Sequence, residues 1–126
     1  MAGKWRGRSV LIVEDSSDYQ ELLIRMAADF GLCVSLCDGG HKALEHLSRH
    51  PVDLVISDIQ MPAGSGLWLL KEMRDAGNQT PVLMITAASD VTEPELLRLG
   101  ASALLKKPFD SEALRVVLRN LATKIS

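Results

Sequence analysis

Glu14 and Asp15 stand side by side directly after an apolar run at 10–13. Asp58 follows a second such run, Thr86 ends a third, and Lys106, Lys107 and Pro108 close a shorter one. Brought together, three carboxylates, a hydroxyl and an ammonium would have a definite chemistry. At ~4 Å and an effective dielectric of ~20, each carboxylate pair repels by about 4 kcal/mol. A proton or a cation must relieve that repulsion. Hard oxygen ligands at an open site suit magnesium, which keeps waters and binds beside phosphate oxygens. A lysine opposite could balance the charge of an arriving phosphoryl group, and a threonine hydroxyl could donate to one of its oxygens. Phosphoryl transfer needs little more than such positioning and charge stabilisation. The remaining carboxylate is then a competent nucleophile, forming an acyl phosphate.

Each residue alone has a plainer reading. Asp15 or Ser16 could cap a following helix, and Asp58 could be a turn residue ahead of Met61-Pro62. Thr86 could be ordinary strand and the lysine pair a solvated one. What argues for a site is that all stand at the carboxyl ends of separate strands. The runs at 9–13, 52–57 and 81–86 are continuously apolar, as strands buried on both faces are. Weaker strands are expected at 33–37 and 103–106. Between them, apolar stripes at helical spacing predict helices at 17–30, 41–50, 67–76 and 111–123. A further helix at 89–99 contains Pro94, which a helix starting at Thr92 or Glu93 would hold in its first turn. This alternation implies a parallel sheet with helices on both faces. In such sheets the functional crevice lies beyond the carboxyl ends of the strands. With strand order 2-1-3-4-5, strands one, three, four and five are contiguous, and the groups above share one edge. The second strand offers only Asp38 and glycines.

The whole chain sets bounds. Its 126 residues are one domain's worth, 47% hydrophobic and 24% charged. A net charge of -2 does not advertise nucleic-acid binding. Cys33 and Cys37 are a poor zinc site without a second ligand pair and are expected to be buried on one strand face. No stretch approaches the ~20 apolar residues of a membrane span. The basic start (Lys4, Arg6, Arg8) leads into an apolar run cut short by acids, which is no signal peptide. A cytoplasmic protein is expected, with a disordered leader at 1–7 and one domain at 8–126. His46 and His50 have metal-pair spacing but no obvious further ligand, so they and His41 read as surface residues.

Leu11-Ile12-Val13-Glu14-Asp15-Ser16, Asp58-Ile59-Gln60-Met61-Pro62 through Gly64 to Gly66, Ile85-Thr86-Ala87, Gly100-Ala101 and Lys107-Pro108-Phe109-Asp110 follow in order. In this order and spacing they resemble response-regulator receiver domains over about residues 8–123. The resemblance implies a flavodoxin-like (βα)5 fold and a cis Lys107-Pro108 bond. It implies that Asp58 takes a phosphoryl group from the phosphohistidine of a histidine kinase or phosphotransfer protein. Asp15 and Asp58 would bind Mg2+ directly, Glu14 through water, and Gln60 through its backbone carbonyl. Thr86, Ala87 and Lys107 would form the phosphoryl-binding switch, Lys107 rather than Lys106 because it precedes Pro108. Such a domain catalyses its own phosphorylation and hydrolysis without being a classical enzyme, binds no nucleic acid itself, and is a monomer or weak dimer.

The chain departs from the family in one respect. Leu104 stands where the family often has a Tyr or Phe that rotates with the state of the threonine, and Ser102-Ala103 replaces the acidic pair before it. A rival, the haloacid-dehalogenase type of phosphatase, needs a D-x-D after the first strand, which Glu14-Asp15 with Ser17 does not supply. A vestigial binding module would not need the full set Asp15, Asp58, Thr86 and Lys107.

Overall fold

The computed structural model describes residues 3–123. Strands and helices alternate as β1 (Ser9–Val13), α1 (Ser17–Asp29), β2 (Cys33–Cys37), α2 (Gly40–Arg49), β3 (Leu54–Asp58), α3 (Gly66–Asp75), β4 (Val82–Thr86), α4 (Glu93–Arg98), β5 (Ala103–Lys106) and α5 (Ser111–Ala122). All pairings are parallel, in the order β2-β1-β3-β4-β5. This is the parallel sheet expected from the alternation, in the flavodoxin-like order that the resemblance implied. The continuously apolar runs became β1, β3 and β4, the interior strands, whose residues are buried on both faces apart from half-buried Ser9. β2 and β5 are the edges and are correspondingly more exposed.

Alternation along the strands divides the core in two. Val10, Ile12, Leu54, Ile56, Leu83 and Ile85 face Leu23, Met26 and Ala27 of α1 and Leu114, Leu118 and Leu121 of α5. Leu11, Val13, Val55 and Met84 face Ala43 and Leu47 of α2, Leu69, Leu70 and Met73 of α3, and Leu96 of α4. α4 spans six residues and buries Leu96 alone, whereas α1 and α5 each bury three side chains. Pro94 lies in the first turn of α4, where its missing N–H costs nothing.

Two expectations are corrected. A disordered leader was expected at 1–7, but Gly3–Trp5 form a 3-10 turn, and Trp5 is 1% exposed. Its indole Nε1–H donates to the Leu118 carbonyl at 2.7 Å, and its ring joins the α1/α5 core. A buried ring with a satisfied N–H offsets the entropy of ordering a short segment. Gly7 N–H donates to Gly31 O at 2.9 Å and Arg8 N–H to Trp5 O at 3.0 Å, which ties the strap to the start of β1. Residues 1 and 2 lie outside the described part. Cys33 and Cys37, expected to be buried, are exposed and half-buried. The reason is the edge position of β2, which leaves its residues with less cover than those of the interior strands.

Candidate functional site

Register sets the site at the carboxyl edge. Val13 is level with Ser57, Asp58 with Ile85, and Thr86 with Lys106. The residue after β1 is therefore Glu14, level with the end of β3. Glu14 is fully buried, Asp58 is 7% exposed, and Asp15 turns outward into solvent. Ligand oxygens of Glu14, Asp15 and Asp58 all lie within 4.8 Å of one another. Lys107 reaches over this cluster: its Nζ is 2.6 Å from Asp58 Oδ2 and 3.0 Å from Glu14 Oε1. Lys106 points elsewhere, donating to Ala88 O at 2.8 Å. The lysine beside the carboxylates is thus Lys107, after a Lys107-Pro108 bond that is cis.

Local bonds hold each piece. Glu14 Oε2 accepts from Ser16 N–H at 2.9 Å, and Glu14 O accepts from Gln20 Nε2 at 2.6 Å, fastening the first turn of α1 over the acids. Gln60 N–H donates to Asp58 Oδ1 at 3.1 Å, so the Gln60 backbone lies beside the Asp58 carboxylate. Gly66, at the start of α3, lies so close to the Asp58 carbonyl that a Cβ there would collide with it. A glycine at that place lets α3 begin directly behind the site. Ser65 caps the helix, its Oγ accepting from Trp68 N–H at 3.0 Å.

The electrostatics follow from crowding. Burial pushes the Glu14 carboxyl above its usual range, opposed by the Ser16 N–H and by Lys107. Burial alone would lower the Lys107 ammonium, but its bonds to Asp58 and Glu14 outweigh that, and the net shift is upward. Lys107 is thus held charged between two acids, the third acid remaining open to solvent. An oxygen-only donor set of this kind fits a hard divalent cation such as magnesium.

Thr86 completes the ring of expected residues. It is fully buried, and its Oγ1 accepts from Ala88 N–H at 3.0 Å. Ala87, exposed, starts the loop that leads to α4. Leu104 is half-buried against the α2/α3/α4 core, and its N–H donates to Glu93 Oε2 at 3.1 Å. Expected residues Glu14, Asp15, Asp58 and Lys107 meet directly, with Gln60 against Asp58; Thr86, Ala87 and Leu104 line the β4–β5 side. The sequence reading missed Tyr19. Its ring lies under the Lys107 ammonium, 4.1 Å from Nζ to the ring centroid. The available signal was an aromatic one turn into the helix after an acidic pair. The histidines do not join the site: His41 packs on the Trp68 ring at 4.4 Å, and His46 and His50 lie 5.1 Å apart on α2 and its end.

A doubly wound sheet with three acids and a lysine at its carboxyl edge defines a small class of α/β domains. The family model of the response regulator receiver domain matches residues 10–119, and the chain belongs to that family. It is 41% identical over 103 residues to the Regulator of RpoS of Escherichia coli, covering 81% of this chain and 31% of that protein. It is 37% identical over 111 residues to the transcriptional regulatory protein DltR of Streptococcus agalactiae, covering 87% of this chain and 50% of that protein. The chain thus spans half or less of the length of these curated relatives. Among solved structures, it is similar to the receiver domain of a Pseudomonas aeruginosa sensor histidine kinase that has a magnesium ion coordinated in its active-site cleft. That match has a TM-score of 0.82 at 27% identity and covers 93% of this chain and 98% of that one. A Francisella response-regulator receiver domain matches with a TM-score of 0.84 at 26% identity, covering 94% and 98% of the two chains.

Proposed function

We propose that Asp58 accepts a phosphoryl group from the phosphohistidine of a histidine kinase or phosphotransfer protein, and that the phosphorylated domain binds its output partner differently. The observation that carries this reading is the Lys107 ammonium at 2.6 Å from Asp58 Oδ2 within the cluster of three acids. An Asp58 oxygen attacks phosphorus; a P–O bond forms as the P–N bond breaks. The electron pair of that bond stays on the imidazole nitrogen, which takes up a proton. Lys107 keeps a positive charge beside the incoming oxygens. The Thr86 hydroxyl and the Ala87 N–H donate to them. These are positioning and charge effects, which carry most of phosphoryl-transfer catalysis.

Glu14, Asp15, Asp58 and the Gln60 carbonyl would hold magnesium, whose chemistry at such a site is to neutralise charge on phosphoryl oxygens. The domain promotes its own phosphorylation and the later hydrolysis of the acyl phosphate, so it is a signalling relay and not a metabolic enzyme. In this reading it works in the cytoplasm as a monomer or weak dimer, and output passes to a partner or an effector domain. Names of relatives such as DltR point to transcriptional control. With a net charge of -2, the chain itself is not assigned the nucleic-acid contact.

The test is labelling by acetyl phosphate in magnesium, followed by intact mass. Wild type gains one phosphoryl group and Asp58→Asn gains none; stoichiometric labelling of Asp58→Asn overturns the assignment. Magnesium titration is the companion measurement. Asp15→Asn weakens binding at least about tenfold, since a direct ligand is worth more than ~1.4 kcal/mol. Unchanged affinity removes Asp15 from the metal site.

A further inference from the structure

Lys107 has one contact that phosphoryl acceptance has not yet used. An ammonium carries three N–H groups. Two are engaged by Glu14 Oε1 and Asp58 Oδ2, and the Tyr19 ring face lies 4.1 Å away, centroid to Nζ. The lysine side chain is only 11% exposed and Tyr19 is half-buried, so the ammonium meets the ring with little access to water. A cation over an aromatic face is attracted by the ring quadrupole, most strongly where both are desolvated.

The ring is itself held. Phe109 packs on it at 5.7 Å between centroids, tilted by 40°. Phe109 in turn rests against the α1/α5 core. From below, the first turn of α1 is pinned by Gln20 to the Glu14 carbonyl and by Ser16 N–H to the Glu14 carboxylate. One bonded set therefore connects Tyr19 to Lys107 on one side and to Glu14 on the other. A lysine stem has four rotatable carbons and would otherwise lose rotamer entropy on settling between two acids.

We propose that Tyr19 is a positioning residue for the phosphoryl-accepting site. Its ring face holds the Lys107 ammonium against Asp58, and an aromatic at this position sets the rate at which Asp58 is phosphorylated. The proposal rests on the assignment of Asp58 as acceptor and deepens it. It concerns the ring and not the hydroxyl. Phenylalanine therefore substitutes and leucine, of comparable apolar bulk, does not.

Two measurements on the intact chain test it. In proton NMR of the metal-free protein, the Lys107 side-chain methylene next to Nζ lies upfield through the ring current. Tyr19→Phe keeps that shift, and Tyr19→Leu moves it to the ordinary lysine position. In acetyl phosphate labelling with magnesium, Tyr19→Leu is roughly tenfold slower than wild type, the factor expected for loss of a largely desolvated cation–ring contact. Tyr19→Phe stays within about twofold of wild type on that same contact energy. The circular dichroism of both variants matches wild type, which separates positioning from unfolding. Equal rates for Tyr19→Leu and wild type overturn the proposal while leaving the Asp58 assignment intact. A Tyr19→Phe variant as slow as Tyr19→Leu overturns it in favour of the hydroxyl. No labelling of wild type overturns the acceptor assignment and the rate proposal with it, and the methylene shift then decides only whether the contact exists.

Discussion

Two regions flanking the sheet are built differently: the α1/α5 layer, and α4 on the opposite face, where α2 and α3 are packed as deeply as α1 and α5. On one side α1 and α5, of 13 and 12 residues, each bury three side chains, and Trp5 is packed beneath them. On the other, α4 has six residues and one buried side chain, and Leu97 and Leu99 are 45% and 58% exposed. The residues that hold charge lean on the first layer: Glu14 and Asp15 lead into α1, Tyr19 is on it, and Lys107 precedes α5. Thr86 and Ala87 lead toward α4. In the function proposed above, the acceptor needs fixed geometry and some other element must report its state. The contrast teaches that anchoring differs in depth between the surroundings of Asp58 and α4. Local stability differs across a fold, and moving elements are drawn from its weakly packed parts.

The largest effect expected is on core packing. Leu118→Ala on α5 costs about 3 kcal/mol, because its fully buried site leaves a cavity that cannot close. Leu96→Ala on α4 costs about half that, since a six-residue helix can settle into the space. Urea unfolding measures both; equal losses would break the contrast.

Next comes charge. In magnesium-free buffer at neutral pH, Lys107→Met destabilises the fold by about 2 kcal/mol, less than for a wholly buried pair because Asp15 leaves one side open. The sign with pH follows from the raised folded pKa of Lys107. Its charge stabilises fully below the ordinary lysine value of 10.5, and that contribution disappears as pH climbs through the higher folded value. The gap between variant and wild type therefore stays constant from neutral pH to about 10 and narrows above it. A gap that closes already at pH 8 would mean that Lys107 is not held charged by the acids.

A smaller effect concerns the tether between α4 and β5. Glu93→Ala removes the acceptor of Leu104 N–H and speeds exchange of that amide about fivefold, roughly 1 kcal/mol, with little change in global stability. Unchanged exchange would show that the tether carries nothing. The finest probe is amide NMR with and without a beryllofluoride phosphate mimic. Shifts concentrate in 87–99, reporting a population shift of the loop and α4. Shifts confined to the vicinity of Leu104 and Asp110 would place the response at β5 and the start of α5 instead.

Much of this was legible in the sequence. The largely apolar runs at 9–13, 52–57 and 81–86 read as strands covered on both faces, and the structure makes them the interior strands β1, β3 and β4. Once those strands were parallel and adjacent, Glu14, Asp58 and Thr86 had to share an edge. Alternation also separates the two lysines at the end of β5, and the structure puts the Lys107 ammonium on Asp58 and that of Lys106 on Ala88 O. Other features depended on contacts between distant residues, which no local pattern carries. Trp5 follows Lys4 in a short basic segment and reads as leader; its burial comes from the Leu118 carbonyl 113 residues away. Tyr19 reads as one more residue of an amphipathic helix; its role depends on a lysine from the far end of the chain. Cys33 reads as core only if the edge position of β2 is ignored.

The turn after α4 gives that helix a mechanical character. Arg74 on α3 donates through Nε and a guanidinium NH2 group to the Gly100 carbonyl, at 3.0 and 2.8 Å, and through its other NH2 group to Asn78 O at 2.7 Å. Gly100 has φ +106°, and a Cβ there would press on the Arg74 side chain at 3.1 Å. The clamp fixes the far end of α4, while the near end, at Thr92 and Glu93, meets the loop that begins beside Thr86. The near end has its own stake, the Glu93 carboxylate on Leu104 N–H. A short helix that buries Leu96 alone is thus moored by one polar clamp at each end, Arg74 to α3 and Glu93 to β5, more than by its own packing.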